Sequence, residues 1–169
     1  MAGQLVQVAT NTVTSAVASV TLTGIDSDDV YMVAVVGFQT DTDNVNTDFR
    51  ITKSGTAQTD SEYDNASKDF RADTSFGNNA QTNVDHLSFS NIGTGTSENA
   101  NGIFYLYNFN SSSEFSFVTF ETVNQRSTAV LRGVEGGLVH TVASASDGVN
   151  FFMSSGNITG GTFTLYKVV

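Results

Sequence analysis

Short runs of alternating apolar and polar residues recur along this chain. Val20 and Leu22 alternate with Thr21 and Thr23 in "AVASVTLTGI", the period-two signature of a half-buried strand. "DSDD" (Asp26–Asp29) then reads as a turn. "VYMVAVVGF" (Val30–Phe38) is apolar on both faces and rich in β-branched residues, as expected of a central strand. After a loop, "QTDTDNVNT", alternation returns in "DFRITKSG", with Phe49 and Ile51 opposed to Arg50 and Thr52. "SEYDNASKDFR" (Ser61–Arg71) reads equally as a strand or a short helical turn, and "VDHLSFSNI" (Val84–Ile92) as a strand.

The second half has sharper boundaries. "GIFYLYNF" (Gly102–Phe109) stops at the polar turn "NSSS", and "EFSFVTFETV" (Glu114–Val123) follows. "STAVLRGVEG" and "GLVHTVAS" predict one bulged strand or two, with Gly133, Gly136 and Gly137 as kink points. The closing "DGVNFFMSSGNITGGTFTLYKVV" reads as a hairpin around a glycine turn. In it, the strand from Val149 to Ser154 pairs with a last strand that sets Phe163 and Leu165 on one face and Tyr166 and Val168 on the other. A positive φ is expected at Gly160 or Gly161, returning Phe163 and Leu165 to the core beside Phe151 or Phe152. Together these runs predict an all-β fold, a jelly-roll-like antiparallel β-sandwich of about eight to ten strands. A single domain over residues 1–169 is expected, with residues 1–14 as an extended docking arm.

Composition narrows the chemistry. The chain of 169 residues has no proline, tryptophan or cysteine, and thirteen phenylalanines. Gly, Ser, Thr, Asn and Asp must therefore make the turns, and phenylalanine must supply much of the core volume. Without cysteine there is no disulfide framework and no thiolate metal site. The formal net charge is −10, a surface that repels phosphate backbones and anionic lipid. Neither a nucleic-acid nor a membrane partner is expected. No apolar run approaches the length of a membrane helix, and "MAGQLVQVATNTV" lacks the basic and apolar regions of a secretion signal.

Candidate sites are few. His86 follows Asp85, but neighbours on a strand face opposite ways and make no dyad. "GTGTSENANG" has no lysine and opens no helix, so it is a loop rather than a phosphate cradle. No nucleophile motif occurs, and the chain is read as a non-enzyme without a cofactor. Asp26, Asp28, Asp29, Asp41 and Asp43 are the weak metal candidates, since calcium takes several carboxylate oxygens; the simpler reading is that they bond turn backbone. The aromatic stripe Ile103, Tyr105, Tyr107, Phe109 suits a core, a subunit interface or a sugar platform. Tyr105, Tyr107 and Phe109, with Tyr166 and Val168, are the residues expected at an interface.

Four segments, "VTLTGIDSDDVYMV", "SGTAQTDSEYDNASKDFRAD", "NGIFYLYNFN" and "DGVNFFMSSGNITGGTFTLY", occur in this order from about Ser15 to Tyr166. With them the chain resembles small virion proteins of marine and cyanobacterial tailed phages. The resemblance implies a structural protein made in the host cytoplasm and carried on the virion. It would be most simply a capsid decoration or cement protein that binds the major capsid protein and forms a homotrimer. A tail appendage or receptor-binding module contacting the host is the alternative. The first strand begins soon after Met1, which leaves no fibre shaft and favours a unit docked on a shell. The resemblance carries over no catalytic residue.

Overall fold

Thirteen β-strands, antiparallel throughout, account for the regular structure of residues 3–169, which the computed structural model describes. They are β1 (Leu5–Val13), β2 (Ser19–Thr23), β3 (Tyr31–Thr40), β4 (Val45–Lys53), β5 (Thr56–Ala57), β6 (Tyr63–Arg71) and β7 (Phe76–Val84). β8 (Leu87–Ile92), β9 (Ala100–Tyr107), β10 (Ser116–Gln125), β11 (Leu131–His140), β12 (Gly148–Met153) and β13 (Ile158–Val168) complete the chain. They form a β-sandwich of unequal layers. The large sheet has eight strands in the order β1-β13-β3-β9-β10-β11-β6-β7; the small sheet orders β2-β12-β4-β5, with β8 also on β4. No helix occurs among the described residues.

Period-two alternation fixes which side chains enter the core. On β10 the residues Ser116, Val118, Phe120, Thr122 and Asn124 are buried, and those between them are exposed. From the large sheet Phe104, Leu106, Phe163 and Leu165 point inward; from the small sheet come Leu22, Phe49, Ile51, Phe89 and Phe151. Phe104 lies near-parallel to Phe49 at 5.7 Å and edge-on to Phe89 at 5.0 Å between ring centroids. Offset and edge-to-face contacts of this kind suit the ring quadrupole and add to area burial. Phenylalanine thus fills the space between the sheets, as composition requires.

Two glycines set the register of the central strands. Tyr31, Val33 and Val35 face inward on β3, and strict alternation would point Phe38 outward. Gly37 takes a φ of +68° at a break in the β3–β9 register between Val35 and Phe38. The extra residue turns Phe38 into the core, where it is fully buried. Opposite it, Gly161 adopts the expected positive φ, +128°, and Gly160 does not. A Cβ on Gly161 would stand 3.1 Å from the Gly37 carbonyl oxygen and from the Phe38 Cα.

Several expectations are corrected. The closing segment is no hairpin: β12 lies in the small sheet between β2 and β4, whereas β13 lies in the large sheet between β1 and β3. The chain crosses from one layer to the other at "SSGN", so Phe151 meets Phe163 across the core at 5.3 Å rather than along a ladder. Residues 5–13 of the expected docking arm form β1 against β13 of their own chain; residues 1 and 2 lie outside the described residues. The count exceeds eight to ten because β1, the two-residue β5 and the polar β7 lack a strong apolar alternation. Of Ser61–Arg71, the residues from Tyr63 onward are strand and make up the whole of β6. β11 is one unbroken strand, in continuous register with both β10 and β6. Its glycines make no bulge, because both neighbours hold it straight.

Candidate functional site

The five acidic metal candidates do not converge. "DSDD" precedes β3 and "DTDN" follows it, so ten strand residues separate them, about 33 Å. The Tyr31 hydroxyl donates to Asp26 at 3.0 Å, and Lys167 pairs with Asp29 at 2.7 Å. Asp41 accepts from the Asn157 backbone and side-chain amides, both at 2.8 Å. Those bonds, the backbone one first, hold the Asp41 carboxyl below its ordinary range. Among the described residues no group of three or more His, Asp or Glu is placed to hold a metal ion. Addition of EDTA is therefore expected to leave the melting temperature unchanged. A fall of several degrees, restored by calcium, would overturn the turn reading, because a ligand bound to the native state stabilises it.

Asp85 and His86 do meet, against the sequence expectation. They occupy a bend between β7 and β8 rather than a strand, so their side chains are free to turn together, with His86 Nδ1 2.6 Å from Asp85 Oδ1. Arg50 pairs with Asp85 and lies over the Phe152 ring, 4.3 Å from its centroid. Beside them Asp48 is buried, and its burial pushes the carboxyl up from its ordinary value. Ser88 donates to Asp48 at 2.6 Å, while His86 Nε2 stands 3.8 Å away. A nucleophilic serine would give its proton to histidine; here the hydroxyl is committed to the carboxylate. The cluster ties β4 to the β7–β8 bend. His140, the other histidine, is enclosed against Tyr63 at 4.9 Å between ring centroids. Burial, with Lys53 nearby, lowers its pKa, and Glu62 opposes the shift.

The expected interface residues divide. Tyr105, Met32 and Tyr166 stand in one row across β9, β3 and β13, on the outer face of the large sheet. Tyr107 and Val168 are half-buried. Phe109 belongs to the core, not to this stripe: Asn108 takes a φ of +58°, which ends the strand alternation and turns Phe109 inward. Ile103 and Tyr105 remain 42% and 40% exposed.

That outer face gathers most of the large exposed apolar side chains, among them Val36, Phe70, Ile103, Tyr105, Phe117 and Val123. An uncovered concentration of this kind marks an interaction surface. Charge enters in one row. Ile103, Glu121, Glu135 and Lys68 follow each other on β9, β10, β11 and β6. The next row holds Tyr105, Thr119, Gly137 and Ala66. Between the rows runs an open groove of about 760 Å³ lined by residues of both. Sequence reasoning found Tyr105 but missed Glu121, Glu135 and Lys68, which become neighbours only through strand order. No protein-family model matches the chain, and no curated protein sequence is significantly similar to it.

Proposed function

We propose that this chain is a virion structural protein of a tailed phage, repeated on the outer shell as a decoration protein and built there as a closed trimer. The resemblance of its four segments supplies the family. One structural observation supports a repeating unit: both edges of the large sheet are unprotected. β1 and β7 are each nine residues long, carry no charged residue and are exposed on both faces over most of their length. Edge strands of solitary proteins usually carry lysine, proline or inward charge, because open N–H and C=O groups recruit further strands. This chain has charge to spend, and none of it falls on either edge.

The strand count is even. All pairings in the sheet are antiparallel, so β1 and β7 run in opposite directions. A neighbour rotated about an axis along the strands would therefore set its β1 antiparallel to this chain's β7. Such a head-to-tail contact closes into a ring when the rotation does, and three copies satisfy the expected homotrimer. Since the chain has no cysteine, the contact can be read by a single cross-link. The double variant Thr10→Cys and Asn78→Cys, both on the outer face of the sheet, is expected to give a disulfide-bonded ladder ending at the trimer. Either single variant should give none. A double variant that stays monomeric under oxidation and in light scattering would reject the ring; dimers from the Thr10→Cys single variant would replace it with a twofold β1–β1 contact.

A further inference from the structure

We propose that the groove on the outer face of the large sheet binds a neutral oligosaccharide. This goes beyond the assembly reading, because the groove lies in the middle of the sheet and the proposed copy contacts lie at its edges. Four features carry it.

The first is unpartnered charge. Glu121 and Glu135 stand directly opposite each other on neighbouring strands, an arrangement that costs stability in an open sheet. Lys68 is directly opposite Glu135. Yet none of the three enters an ion pair or a side-chain hydrogen bond among the described residues. Three long side chains with free donors and acceptors therefore line one cleft.

The second is the surface beside them. The Tyr105 ring and Phe70, both substantially exposed, flank the same groove, and apolar ring faces next to fixed polar groups are what orient small ligands. A pyranose has this dual character. Its C–H face rests on an aromatic ring, and its hydroxyls donate to carboxylates and accept from an ammonium.

The third is shape. β9 to β6 spans three strand spacings, about 14 Å. A second groove of about 640 Å³ continues from it past Ala66 and Thr119. The floor is low, because Gly137 and Ala66 place almost nothing above the sheet. An extended chain of sugars fits such a track better than a compact ligand.

The fourth is the exclusion of other occupants. Another copy of this chain would bury two adjacent carboxylates, costly without cations to meet them. It has few to offer: of seven Lys and Arg, Arg50, Arg71, Arg132 and Lys167 already pair within the chain. Phosphate-bearing polymers meet the same two carboxylates. A strongly basic peptide meets Lys68.

The test is an array of defined oligosaccharides of four to six sugars. It would include neutral glucose-, galactose-, mannose- and N-acetylglucosamine-based chains, sialylated and sulfated chains, and oligolysine. Retention of one or more neutral chains is expected, with sulfated chains not retained. Tyr105→Ala and Glu135→Ala should each weaken the retained chain at least tenfold by titration. Gly137→Phe should abolish binding while folding normally, since a Cβ there meets its nearest atom at 3.4 Å and the new ring stands in the second groove beside Ala66 and Thr119, where the two grooves join. Binding should persist in a variant that no longer assembles through its edges, which keeps this outcome separate from the ring's. Retention of no neutral chain, retention unaffected by Gly137→Phe, or retention of oligolysine alone would each overturn the proposal.

Discussion

Deletion of Gly161 is expected to yield insoluble or unassembled protein. β13 is clamped on two sides, by β1 from Leu5 to Val13 and by β3 from Tyr31 to Thr40. It is also fixed at both ends. At its start Ile158 is buried and exchanges both backbone bonds with Val17 at 2.9 Å. Toward its end Phe163 and Leu165 are fully buried. Gly161 supplies the residue that lets both ends reach their places. Without it, one side must slip by one position, and a one-residue slip reverses every side chain beyond it. If the C-terminal half slips, Phe163 and Leu165 turn out and Thr162 and Thr164 turn in. If the start slips, Ile158 leaves the core and Asn157 leaves its Asp41 cap. Exchanging a buried phenylalanine for threonine costs on the order of 3 kcal/mol or more, a large share of a total near 5–15 kcal/mol. Lys167→Ala is the control. It removes a surface ion pair with Asp29, of the solvent-screened kind that contributes little to stability, and should remain soluble and assembled. A soluble, assembled Gly161 deletion would show that the last strand is peripheral.

Phe151→Ala should produce the second large effect, a loss of about 3–5 kcal/mol in denaturant unfolding. Phe151 is fully buried, with Phe38, Phe49, Phe89, Phe104 and Phe163 around it at centroid distances from 5.3 to 6.4 Å. Truncation removes the transfer energy of the ring. It also leaves a cavity that rings on two sheets cannot collapse to fill. The adjacent Phe152→Ala should cost clearly less. Phe152 points to the other side of the small sheet, where it is partly exposed under Arg50 and near His86. Equal losses at the two positions would contradict the inward assignment of Phe151, and a Phe151→Ala protein as stable as the parent would remove this residue from the centre of the core.

These two neighbours illustrate what the pattern of residues decides. "NFFM" cannot say which phenylalanine faces in, because both faces of the segment are apolar. The strand itself was legible from its composition; its facing depended on the neighbours it paired with. Where the alternation was clean, as on β2 with Val20 and Leu22 buried and Thr21 and Thr23 exposed, strand and facing were both legible. Where a positive φ ended the alternation, as at Asn108 before Phe109, parity misled; where a glycine inserted a residue, as before Phe38, the two-faced apolar run gave no facing at all. The same limit applies to the groove. Tyr105 was visible as one residue in an aromatic stripe. Glu121, Glu135 and Lys68 are far apart in the chain, and no spacing rule joins them.

By itself, the sequence determined the fold class, the phenylalanine core, the turn chemistry and a positive φ in the last glycine pair. Each depends on local periodicity, side-chain volume or backbone sterics, which a short window contains. Only the tertiary structure decided that the closing strands lie in opposite sheets, that β1 and β7 form bare edges, and that three charges share one row. Those facts follow from which strands lie side by side. Strand pairing across tens of residues is settled by the burial of the whole core, not by any segment alone.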